Sequence, residues 1–245
     1  MRIIASTNTG LKRENNQDAY ETGEFPGGDV WAVVCDGMGG VSGGQIASSI
    51  CVEKVSEGIK RSYRKGMTVN SVKNMLVSSI NAANAAVFQK SIDTAGLKGM
   101  GTTIVAVVVL GNIGVVAHVG DSRAYLINDE IKPITKDHSY VQLLIDTGKI
   151  TEEEARTHPD SNIITRAVGI ENFVDVEIDI IDINENDSLL LCSDGLNGYV
   201  KDNVIFKTVN EFKDSSAEKL VEKANEAGGY DNVTVVLLAA EIQGE

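Results

Sequence analysis

The sequence predicts a layered α+β sandwich, with strands inside and helices outside. Three observations point there. Short runs rich in Val and Ile, bounded by Gly, Asp or Asn, recur through the 245 residues and read as strands. Several of these runs are apolar throughout, which is the pattern of strands covered on both faces. Two long stretches with apolar residues at helical spacing supply material for that cover.

The strand runs are Val30–Cys35, Thr102–Leu110, Gly114–Val119, Arg123–Ile127, Ser188–Cys192 and Val233–Ala239. The first helix follows from Ile46, Ile50, Val55 and Ile59, and the second from Val69, Val72, Leu76, Ile80, Ala83 and Val87. A third helix is expected from Ser215, where Glu218 three residues on makes a capping box, to the Gly228-Gly229 pair. Between Pro133 and about Gly169 the strand signal stops. The segment HSYVQLLIDTGKITEEEARTHPDSN reads as two short helices, the second capped by Thr151 with Glu154. Such an insertion is either a flap beside a site or a plain surface connection.

With 42% hydrophobic residues the chain holds ample material for a core, and it is expected to form a single domain over 1–245. The net charge of −13 argues against nucleic acid and against anionic membranes as partners, since both require clustered cations. Cys35, Cys51 and Cys192 each sit in an apolar or helical run and read as small core residues, not a disulfide framework. None of the three has Arg six positions later, so a cysteine-nucleophile route to phosphate ester hydrolysis has no motif. The opening MRIIASTNTG lacks the apolar segment of a signal peptide and no run approaches the ~20 residues of a membrane span, so a cytoplasmic location is expected. The match of Asn232-Val233-Thr234 to a glycosylation sequon carries no weight there.

The informative feature is where the strands end. VVCDG closes one apolar run on Asp36, VVAHVGDSR closes another on Asp121, and LLLCSDG closes a third on Asp194. Asp231, in GGYDNVTVVLL, stands just before the last strand. An Asp-Gly pair alone is a common turn signal. Strand-end carboxylates that converge repel one another, however, and need cations to offset the repulsion. An all-oxygen set with no Cys or His pairing suits Mg2+ or Mn2+ and not Zn2+. Gly37, lacking a side chain, is expected to let the backbone turn its carbonyl toward an ion held by Asp36. Arg13, five residues before Asp18, offers a planar fork suited to phosphate oxygens, although an arginine near a chain end is commonly a surface residue.

Eight blocks in order, GLKRENNQD, VCDGMGG, GMGTTIV, AHVGDSRAYLI, KDHS, THPDSNIITRAVG, CSDGL and YDNVT, resemble the metal-dependent Ser/Thr protein phosphatases of type 2C, and the bacterial members in particular. The resemblance covers nearly the whole chain. It implies a four-layer αββα sandwich of two mainly antiparallel sheets flanked by helices, with a helical flap at about 133–169. By position, it implies that Asp36 bridges two metal ions, with the Gly37 carbonyl on the first and Asp194 and Asp231 on the second. It implies a third, weaker ion held by Asp121 with Asp194, although Asp121 could instead pair with Arg123 or cap its turn. Asp18 would hold metal-bound water and Arg13 would bind phosphate, while Thr102 and Thr103 would serve strand packing near the site.

Two departures stand out. Many animal members carry histidine where this chain has Met38, so a metal-bound water is the expected proton donor. Many bacterial members have His and Glu where this chain has Val41 and Gln45. The implied activity is hydrolysis of phosphoserine and phosphothreonine in proteins, by a metal-bridging hydroxide attacking phosphorus. The implied partners are phosphorylated protein substrates and an opposing bacterial Ser/Thr kinase, with the chain a monomer. The rival readings are a catalytically silent relative that only binds phosphoproteins, and a metal phosphohydrolase acting on small phosphate esters.

Overall fold

The computed structural model describes residues 1–239; the last residues of the expected 1–245 unit, 240–245, lie outside the described residues. Its strands are β1 (Arg2–Asn8), β2 (Asp18–Glu24), β3 (Val30–Met38), β4 (Gly101–Thr102), β5 (Ile104–Leu110), β6 (Ile113–Val119), β7 (Arg123–Ile127), β8 (Ile131–Pro133), β9 (Glu177–Asp182), β10 (Ser188–Cys192) and β11 (Val233–Ala239). Its helices are α1 (Gly40–Ser62), α2 (Val69–Asp93), α3 (Tyr140–Asp146), α4 (Glu152–Ala155), α5 (Asp194–Asn197), α6 (Asp202–Phe212) and α7 (Ser216–Glu226).

The strands form two antiparallel sheets. One has the order β1-β11-β10-β7-β8; the other has β2-β3-β5-β6-β9, with β4 paired to β3. Strand β3 shows why its run is apolar without interruption. Successive side chains point to opposite faces. Trp31, Val33 and Cys35 pack beneath α1 and α2, while Val30, Ala32 and Val34 meet Leu189, Leu191, Val236 and Leu238 of the opposing sheet. Helices α6 and α7 cover the far face of that second sheet through Ile205, Leu220, Val221 and Ala224. The layers are therefore helix, sheet, sheet, helix, as expected. Cys35, Cys51 and Cys192 are free thiols buried in these cores.

Several elements depart from the sequence reading. Strands β1, β2, β8 and β9 and helix α6 were not anticipated. The four strands include the edges of both sheets, and edge strands mix polar and apolar residues because only part of their surface is covered. The run from Thr102 to Leu110 is two strands, broken at Thr103, because the Thr103 amide and hydroxyl are both spent on the backbone of Asp36. The expected capping box at Ser215 is absent. Ser215 lies in a 3-10 turn and its hydroxyl donates to the Phe212 carbonyl instead. The capping box at Thr151 and Glu154 is present in full. Among the described residues no helix is long and apolar enough to cross a membrane.

Candidate metal centre and phosphate site

The sandwich brings the predicted carboxylates to one end of both sheets. A cleft of about 590 Å3 opens there, and Arg13, Asp36, Gly37, Asp121, Asp194 and Asp231 all line it. Asp36 and its cross-strand partner Asp18 come from the six-stranded sheet. Asp194 follows β10 and Asp231 precedes β11 in the other sheet, and Asp121 stands on the link from β6 to β7 that crosses between them.

Each carboxylate is held from behind. The Asp36 amide donates to the Thr103 hydroxyl at 3.0 Å, and its carbonyl accepts from the Thr103 amide and the Thr102 hydroxyl, both at 2.8 Å. Thr103 also meets the Ser122 hydroxyl at 2.6 Å, which links the Asp36 backbone to the residue after Asp121. Asp18 Oδ2 accepts from the Ser193 and Thr234 hydroxyls, each at 2.7 Å, while its Oδ1 is buried with no partner. Asp194 likewise keeps a buried, unpartnered Oδ1. Asp231 accepts from the Asn232 amide at 2.8 Å through Oδ1 and from the Arg13 guanidinium at 2.7 Å through Oδ2.

Two positions add to the sequence reading or narrow it. Gly37 is not at a turn-type dihedral; the left-handed values belong to Gly39 and Gly40. It must be glycine because an added Cβ would collide with the Gly44 carbonyl oxygen at the start of α1 and stand 2.7 Å from that of Gln17. Asp121 does not pair with Arg123, whose guanidinium makes a two-pronged bridge to Asp137, 2.7 Å on each arm. Asp121 is left facing the cleft.

Asn232 and Thr234 were missed as site residues. Asn232 donates its side-chain amide to the carbonyls of Thr9 and Asn15 and accepts from the Gln17 amide, fastening the Arg13 loop to the start of β11. A buried Asn on an apolar strand boundary was the available signal, since such a residue needs partners for every polar atom.

The electrostatics fit a divalent-cation site. Burial raises the pKa of Asp36 well above the ordinary carboxylate value, and repulsion from Asp18, Asp194 and Asp121 adds to it. Asp121 is raised well above it by burial and by Asp194 and Asp137. Burial lifts Asp194 to about 6 and Asp18 to about 7. Oxygens crowded against their own charge, two of them orphaned and none accompanied by a lining Cys or His among the described residues, make a donor set for hard cations.

These shifts set a pH dependence for chelator-treated protein. A carboxyl whose folded pKa exceeds its unfolded value near 3.8 contributes stability that is full below that value and lost as pH rises through the folded pKa. The melting temperature of the metal-free protein is therefore expected to fall from about pH 4 to about pH 7, up to the values for Asp194 and Asp18. A flat profile in that window would remove the repulsion account.

His118, His138 and Glu177 form a second cluster of possible ligands among the described residues. Its hydrogen bonds oppose a cation. His138 Nδ1 accepts from the Gly120 amide at 3.0 Å, so Nε2 carries the proton and donates to Glu177 at 2.9 Å, beside the Arg166 guanidinium. The cluster instead fastens the base of the 133–169 segment to the end of β6, just before Asp121. From that base the segment reaches the cleft, where Asn162 and Ile164 form part of the wall.

Two facing sheets clad in helices, with carboxylates from both gathered at one end and an arginine at the mouth, define the class of metal-dependent protein phosphatases. The chain belongs to the protein phosphatase 2C family, whose model matches residues 11–242. It is 35% identical over 239 residues to a serine/threonine phosphatase stp of Listeria monocytogenes, covering 96% of this chain and 94% of that one. The crystal structure of serine/threonine phosphatase Stp1 from Staphylococcus aureus superimposes with a TM-score of 0.92 at 37% identity, covering 98% of this chain and 95% of that one. The catalytic domain of the serine threonine protein phosphatase PstP, solved in complex with two manganese ions, matches with a TM-score of 0.82 at 34% identity, covering 96% of each chain.

Proposed function

We propose that this chain is a metal-dependent serine/threonine protein phosphatase acting on phosphoserine and phosphothreonine in proteins. The observation that carries the reading is the convergence of Asp36, Asp121, Asp194 and Asp231 in one cleft with Arg13 at its mouth. Asp36, the Gly37 carbonyl, Asp194 and Asp231 would hold a pair of Mn2+ or Mg2+ ions, and Asp121 with Asp194 a third. When bound, such ions supply a nucleophilic water at neutral pH and neutralise charge on the transferring oxygens.

The chain's own residues do the rest. Arg13 is half exposed and its partner Asp231 lies among the proposed ligands, so its fork is placed to meet a phosphate arriving at the same point. Asp18, held by Ser193 and Thr234, keeps Oδ1 as an acceptor that can orient a water. Met38 on the cleft wall has no proton to give, so the leaving serine or threonine oxygen takes its proton from water. Asn162 and Ile164 of the 133–169 segment line the cleft, where as part of a flap they would shape substrate access. The reading extends to an opposing Ser/Thr kinase, a monomeric chain acting as one catalytic unit, and a cytoplasmic location.

Phosphopeptides, nucleotides and phosphate diesters assayed with Mn2+, with and without chelator, test it. Release of phosphate from phosphopeptides, abolished by chelation, is expected. Activity confined to nucleotides or diesters would favour a small-ester hydrolase, and binding without turnover a silent relative.

Two further outcomes follow. Arg13→Ala is expected to raise KM more than it lowers kcat, since a grip on phosphate operates in ground and transition states alike. Unchanged kinetics would remove Arg13 from the site. Trimming the flap within 133–169 is expected to reorder phosphopeptide preferences while sparing hydrolysis of a small aryl phosphate. Equal losses on both would make the segment a support of the fold or the metals.

A further inference from the structure

We infer that Leu11, Tyr199 and Tyr230 form a subsite that receives an apolar side chain flanking the phosphorylated residue of the substrate protein. The inference rests on the phosphatase reading and names a specificity determinant for it. These side chains are 67%, 39% and 52% exposed. Single exposed apolar residues are ordinary on protein surfaces. Here three come from separate segments, the Arg13 loop, the turn after α5 and the loop before β11, and the two tyrosine rings lie 5.5 Å apart at 33°.

The ledge is built rather than incidental. The Leu11 and Lys12 amides both donate to the Gly229 carbonyl, at 2.8 and 3.1 Å, which latches the Arg13 loop to the Gly228-Gly229 turn. Both glycines have left-handed φ values, 128° and 56°. A Cβ on Gly228 would collide with the Tyr230 ring, and one on Gly229 would stand 2.6 Å from Leu11 Cγ. The backbone therefore lies flush against both side chains, so the platform is set before any ligand arrives and little ordering cost remains.

Its position selects the occupant. Tyr230 adjoins Asp231, the partner of Arg13, and Leu11 stands two residues before Arg13. Tyr199 lies on the turn after Asp194; its hydroxyl pKa is raised by burial and by the charges of Asp194 and Asp231. A chain delivering phosphate to Arg13 advances about 3.3 Å per extended residue, so a neighbour one or two positions away falls on this ledge. None of the three side chains carries a charge, so the ledge offers no ionic partner to a charged neighbour. A leucine, methionine or aromatic side chain is the matching chemistry.

The test uses phosphothreonine peptides with Leu or Ala at each of the two positions on either side, and N-acetyl-phosphothreonine amide as a substrate without flanks. For the unaltered protein, Leu at one of these positions is expected to lower KM about five- to tenfold relative to Ala, the size expected for half-burying a leucine. The double variant Tyr199→Ala, Tyr230→Ala is expected to erase that preference and leave the blocked amino acid's kinetics unchanged. Leu11→Ala, which removes neither ring, should weaken the preference and serves if the double variant fails to fold. Equal KM values for Leu and Ala peptides, or a preference that survives in the variants, would overturn the subsite while leaving the phosphatase reading intact. So would a matching loss on the blocked amino acid, or a stable dimer in solution with this patch buried. No turnover of any substrate would overturn both readings.

Discussion

Asp36→Asn is expected to lose about a thousandfold or more in kcat while the protein stays folded. The substitution keeps the side chain's shape, and the backbone contacts from Thr102 and Thr103 that seat the residue do not involve the carboxyl. What changes is charge at the point where Asp18, Asp194 and Asp121 all repel it. Three readouts should therefore move in different directions. Affinity for Mn2+ in calorimetric titration should drop, turnover should collapse, and the melting temperature of the chelated protein at neutral pH should rise, because one repelling group is gone. A merely structural aspartate would show a lower melting temperature and proportionate activity. An Asp36→Asn protein that binds two ions and turns over normally would mean that the bridge is elsewhere.

The second large effect is expected at Asp121→Asn: a steep fall in kcat with two ions still bound tightly. Arg123 is committed to Asp137 on both arms, so loss of the Asp121 charge breaks no ion pair to Arg123. The side chain is almost wholly buried at the cleft, and after burial itself the charge of Asp194 does most to raise its pKa. The proposed third, weaker ion between these two carboxylates would account for that arrangement. Titration with Mn2+, a melting curve and steady-state kinetics on the one variant decide the matter. Wild-type turnover would end the three-ion proposal, and a lower melting temperature with near-normal kcat would return Asp121 to a structural role.

Legibility in the sequence followed burial. The central strands β3, β5, β6, β7, β10 and β11 are apolar on both faces, so composition alone marks them. The edge strands β2 and β9 read DAYETGE and EIDIID, where solvent admits charges that mask the strand pattern. The site residues that end apolar runs stood out because a carboxylate there is costly. Asn232 and Thr234 did not, since their importance lies in contacts with residues more than 200 positions away in the chain, such as Asp18 and Thr9. The glycine at 37 was legible as necessary, but its steric reason was not: close packing against Gly44 and Gln17 leaves no trace in a local pattern.

The carboxylates at the cleft are drawn from both sheets, and this has a kinetic consequence. A partly unfolded form that keeps one sheet and loses the other retains only part of the donor set, so it cannot bind ions as the native chain does. Cations would then slow only those openings that separate the sheets. Native-state amide exchange with and without Mn2+ should divide the molecule accordingly: amides of β3 and β11 should gain protection together, while the outer turns of α2 and α7 exchange as before.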